Sequence, residues 1–61
     1  MEYSIGEKIC FWIGIKKRKI EGIVIGYSHN IRNQHIMPYY IVLQTYAIGF
    51  RFIRVRPRQL A

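Results

Sequence analysis

Acidic side chains are almost absent from this sequence: it has no aspartate, and Glu2, Glu7 and Glu21 are its only carboxylates. A carboxylate pair for acid and base work, or a Ser/His/Asp set, has nothing to be assembled from, so catalysis is not expected. Cysteine is nearly missing as well. Cys10 alone excludes an internal disulfide, and His29 and His35 do not complete a set with zinc-ligand spacing. We read Cys10 as a small apolar strand residue kept reduced in a cytosol-like compartment, and the two histidines as solvated groups of a polar stretch. The glycines are dispersed singly, which leaves no Gly-rich phosphate loop. No segment repeats, and none keeps a helical period over ten or more residues. The uncharged segment from Asn33 to Phe50 holds Gln34, His35, Pro38, Gln44 and Thr45, which argues against a membrane span. The opening "MEYSIGEK" lacks a basic region followed by an apolar stretch, so no signal peptide and a cytoplasmic location are expected. The expectation is a protein without enzymatic activity, cofactor or metal.

Cations and apolar residues are plentiful. Ten Lys plus Arg give a formal net charge of +7, which points to an anionic partner: DNA or RNA through its phosphate backbone, or an acidic protein surface, rather than a membrane. Charge of this size also simply keeps a small domain in solution. The chain is a single domain over residues 1–61, a length at which the core is thin. Apolar residues make up 51% of it and aromatics 15%, so subunit contacts are the available aid, and a homo-oligomer is expected.

Strands dominate the pattern. In "EKICFWI", Glu7 to Ile13, the residues Ile9, Phe11 and Ile13 alternate with Lys8, Cys10 and Trp12. Gly14 opens a loop holding Lys16, Lys17, Arg18 and Lys19. A second strand runs from Ile20 to about Ser28, with Ile20, Gly22, Val24 and Gly26 on one face and Glu21, Ile23, Ile25 and Tyr27 on the other. Glycines inside a strand mark a bulge, a bend or close approach by another backbone. "SHNIRNQHIMP" reads as a polar connection with Asn30 and Asn33 as turn formers. A third strand follows from Tyr39 to about Tyr46, and Gly49 allows a reversal into a fourth, Phe50 to Val55. Pro57 ends pairing, "RPRQ" suits one short helical turn, and Leu60 is placed back toward the core.

The order "GEKI", loop, "EGIVIGYS", polar loop, "YYIVLQ", turn, "FIRVRPRQL" resembles an SH3-like small barrel, as in Tudor, KOW and related modules. The resemblance implies an all-β barrel of about five strands with a short 3-10 turn before the last strand, and it implies no particular function. "IGEKI…IEGIVIGYS…YYIVLQ" is also similar in layout to the type II, plasmid-borne dihydrofolate reductases. In that family a Val-Gln-Ile-Tyr segment lines the catalytic pore. The comparable stretch here, Phe52 to Val55, reads Phe-Ile-Arg-Val, so no active-site residue carries over.

Two basic groups carry the functional expectation: Lys16, Lys17, Arg18 and Lys19 on the first loop, and Arg51, Arg54, Arg56 and Arg58 on the last strand and turn. First and last strands are neighbours in an SH3-like barrel, which would gather both groups onto one face for phosphate capture. Arginine suits the task because its planar fork bonds phosphate bidentately. Trp12 would offer a stacking surface for an unpaired base, with Tyr27 and Tyr39 as weaker candidates. Against this stand a solvated lysine loop, a nuclear-import-like "KKRK", a subunit-interface tryptophan, and arginines that merely guard an edge strand. The reading that follows is a non-catalytic, nucleic-acid-binding domain. The alternatives are an accessory module docking an acidic protein and, remotely, an oligomeric reductase.

Overall fold

The computed structural model describes residues 3–15 and 18–61. Four strands, β1 (Lys8–Ile13), β2 (Arg18–Arg32), β3 (His35–Tyr46) and β4 (Gly49–Val55), precede a 3-10 turn at Pro57–Gln59. Each strand pairs antiparallel with the next, in the order β1-β2-β3-β4, so the sheet is an unclosed meander. In place of a fifth strand, the chain beyond the turn forms a single antiparallel bridge between Phe11 and Leu60. The Ala61 N–H reinforces it by donating to the Cys10 carbonyl at 3.1 Å. No helix among the described residues is long and apolar enough to cross a membrane.

Strand alternation builds the core. Ile9, Phe11, Val24, Tyr40, Val42 and Val55 are fully buried, and Tyr3, Ile20, Ile53 and Leu60 pack against them. Each buried aliphatic or aromatic side chain is worth about 1.5–3 kcal/mol, so this short set carries most of the fold. Gly22 faces the same core and lets β2 approach β3. A Cβ there would lie 2.3 Å from Val42 Cγ1 and 2.9 Å from the Leu43 carbonyl oxygen.

A bulge then changes the parity of β2. Val24 pairs with Val42 but Gly26 pairs with Ile41, so Ile25 is the extra residue. Beyond it Tyr27 lies opposite Tyr40, with ring centroids 5.8 Å apart. Tyr27 therefore turns to the core side instead of joining Glu21, Ile23 and Ile25 as strict alternation predicts. Its hydroxyl donates to the Tyr3 carbonyl, while the Tyr3 N–H donates to the Tyr40 hydroxyl at 3.3 Å.

The stretch read as a polar connection is instead a continuation of the ladder. Ser28↔Tyr39, His29↔Pro38, Asn30↔Met37, Ile31↔Ile36 and Arg32↔His35 remain paired, and Asn33 and Gln34 alone make the turn. Both have positive φ, 49° and 66°, as a two-residue type I′ hairpin turn requires. Asparagine tolerates this conformation. Glutamine does so at a cost of about 1–2 kcal/mol, which the ladder behind it offsets. β4 stops pairing with β3 at Tyr40↔Val55, so β3 is an edge beyond that point, where Pro38 is tolerated. The five pairs form a two-stranded ribbon that carries no residue of the fully buried core. The radius of gyration is accordingly 12.0 Å, against about 10.5 Å for a compact chain of this length.

Candidate nucleic-acid interface

Trp12 ends up beside the C-terminal arginines because Gln59 both closes the 3-10 turn and ties it to β1. The Gln59 N–H donates to the Arg56 carbonyl and the Arg56 N–H to Gln59 Oε1, both at 2.9 Å. This reciprocal pair is a capping arrangement. The Gln59 amide then donates to the Trp12 carbonyl at 3.2 Å. An open depression results, lined by Trp12, Gly14, Arg56, Arg58 and Gln59. Trp12 is 40% exposed, so much of the indole remains available for contact. Gln59 escaped notice in the sequence, although its place two residues after Pro57 is the third position of a capped turn.

The basic residues named from the sequence divide into several sets. Lys16 and Lys17 lie outside the described residues. Arg18 and Lys19 are not in a loop: they begin β2, paired with Ile13 and Trp12 respectively. Cross-strand partners share a face, so Lys19 stands beside Trp12. Arg54 projects outward and places its guanidinium 5.2 Å from the centroid of the Tyr39 ring. That ring is only 8% exposed, which removes Tyr39 as a platform for a base. Tyr27 is 42% exposed, but its hydroxyl donates to the Tyr3 carbonyl and its ring packs on Tyr40 on the core side, the face opposite Trp12. Arg51 separates from the group. It pairs with Gln44, its Nε donates to Gln44 Oε1 at 2.7 Å, and alternation sets it on the side of Ile53 and Val55, opposite Arg54.

The electrostatics follow from where the few acids sit. Among the described residues the one ion pair is Lys8–Glu21, at 3.9 Å between two well-exposed side chains. The Glu7 carboxylate accepts from the Ser4 N–H at 3.0 Å. No described carboxylate therefore neutralises Lys19, Arg54, Arg56 or Arg58. No group of three or more potential metal ligands occurs among the described residues. Chemically, such a surface offers unneutralised positive charge beside one partly exposed indole. Comparison with known proteins returns no matching family model, no similar curated protein and no similar solved structure.

Proposed function

We propose that this chain is a non-catalytic domain that binds nucleic acid through its phosphate backbone, with limited sequence reading. The observation that carries it is the shared depression of Trp12, Arg56 and Arg58, free of any described carboxylate and flanked by Lys19. Phosphates would displace counterions from the arginines, and the exposed indole would lie against the bound strand, against a sugar in a duplex or an unpaired base in a single strand. The meander order, the glycine-bent β2 and the 3-10 turn before a terminal bridge support an SH3-like reading of the fold, in keeping with a cytoplasmic binding module.

Trp12 is the sole tryptophan, so its fluorescence reports directly on the site. At low salt, mixed-sequence oligonucleotides are expected to quench it. Arg56→Ala with Arg58→Ala should weaken binding to all sequences alike, by about tenfold or more, and flatten the log K against log salt slope by about 2. Absence of quenching and of binding at low salt would refute the reading, and an unchanged slope would refute the assignment of the arginines.

A second surface supports a homo-oligomer. Ile23, Leu43 and Phe52 lie in one cross-strand row on the outward face, and Phe50 packs on Phe52 with ring centroids 5.5 Å apart. Both phenylalanines are 61% exposed. The row ends at Lys8, opposite Ile23 and ion-paired with Glu21, so its apolar centre is where two copies of a strongly cationic chain meet with least repulsion. Sedimentation should give a mass above that of one chain, with Phe50→Ser plus Phe52→Ser shifting it to the monomer. A monomeric parent at high concentration would end this part of the proposal.

A further inference from the structure

The ribbon formed by β2 and β3 beyond Tyr27 and Tyr40 has no part in the fully buried core, and its composition is unusual. Past Glu21 the sequence contains no carboxylate, so the ribbon and everything after it is cationic or neutral. Register divides its side chains between two faces. One carries Ser28, Tyr39, Asn30, Met37, Arg32 and His35; the other carries the pairs His29↔Pro38 and Ile31↔Ile36. The first face begins where Arg54 covers Tyr39 and ends in three hydrogen-bonding groups, Asn30, Arg32 and His35. On the second, Ile31 and Ile36 pair across the strands and hold together an end that two strands alone would support only weakly. The ribbon's base also adjoins the site described above. Met37 and Pro38 line a second depression together with Arg56, Pro57 and Arg58, so the two arginines stand between Trp12 and the ribbon.

From this juxtaposition we infer that the ribbon is a groove-reading arm and that the ligand is double-stranded DNA. The inference rests on the nucleic-acid reading above and names its substrate class. Five paired residues at about 3.3 Å each give an arm about 17 Å long. The major groove of B-form DNA, about 12 Å wide, admits a two-stranded ribbon, whereas the corresponding groove of A-form RNA is too deep and narrow for side chains to read. With the ribbon in the groove, Arg32 and Asn30 meet base edges, for which their forked donors and amide suit guanine and adenine respectively. Arg56 and Arg58, at its base, fall to the flanking phosphates and fix the register.

The test compares wild-type protein on duplex DNA and duplex RNA of the same sequence by Trp12 fluorescence, with dimethyl sulfate footprinting on the DNA. Binding to DNA is expected to be at least about tenfold tighter than to RNA, with guanine N7, a major-groove atom, protected. Asn30→Ala plus Arg32→Ala should abolish that protection and most of the DNA preference, lowering DNA affinity by a larger factor than RNA affinity. Both residues are exposed and distant from the core, so the thermal midpoint should not move. Binding without N7 protection, or equal affinity for the two duplexes, overturns the arm and leaves the nucleic-acid reading standing. Loss of all nucleic-acid binding at low salt overturns both. The wild-type footprint decides the matter even if the double variant misfolds.

Discussion

Gly22→Ala is expected to lower the stability of the domain by about 3 kcal/mol or more, at the upper end of what overpacking a core costs. The added methyl would be 2.3 Å from Val42 Cγ1 and 2.9 Å from the Leu43 carbonyl oxygen. Neither neighbour gives way easily. Val42 is fully buried and β-branched, so its χ1 has little freedom, and the second atom belongs to the backbone of the central strand β3. A domain this small seldom has more than about 3–5 kcal/mol to lose, so the variant should be largely unfolded near room temperature. Gly49→Ala is the matched control: nothing lies within 4 Å of the position a Cβ would take there. Urea titration followed by circular dichroism should show a cooperative transition for Gly49→Ala near the parent midpoint. Equal midpoints for the two variants would contradict the close approach at Gly22.

Phe11→Ala has a comparable expected effect by the opposite route, a void where there is now a ring. Phe11 is fully buried, and truncating such a phenylalanine costs about 3–5 kcal/mol. It has a second role, since its backbone pairs with Leu60 and so anchors the turn that bears Arg58 beside Trp12. Phe11→Leu keeps that backbone bridge and most of the apolar volume. It should remain folded with a lowered thermal midpoint and bind oligonucleotides within about twofold of the parent, the loss being one of packing rather than of contact. A parent-like midpoint for Phe11→Ala would show that the core is not where the burial places it.

Period-two alternation made the sheet readable before any coordinates. Ile9 and Phe11 bury and Lys8 and Trp12 point outward as β1 predicts, and Ile53 and Val55 oppose Arg54 in β4. The 3-10 turn and the return of Leu60 were legible from Pro57 and the apolar terminus. What escaped has identifiable causes. A bulge adds one residue without leaving any compositional trace beyond a glycine, and every face assignment after it inverts, as for Tyr27. The ribbon was hidden because both of its faces are largely polar or exposed, so hydrophobicity does not alternate there although the backbone is paired. Arg18 and Lys19 looked like loop residues because cations clustered with them, yet Ile13 and Trp12 supply strand partners. Arg51 was grouped with Arg54 by residue type, although a separation of three along a strand already sets the two on opposite faces. Partners far apart in sequence, such as Gln59 with Trp12, leave no local pattern.

The placement of the acidic side chains bears on kinetics. All three fall within the first 21 residues, and Glu21, opposite Cys10, is offset by Lys8. On the nucleic-acid reading proposed above, a net cation whose last two thirds hold no acidic side chain would be drawn to a long polyanion before the surfaces touch. A larger share of its collisions with such a strand would then be productive at low ionic strength, and that advantage would fade as the Debye length shrinks with added salt.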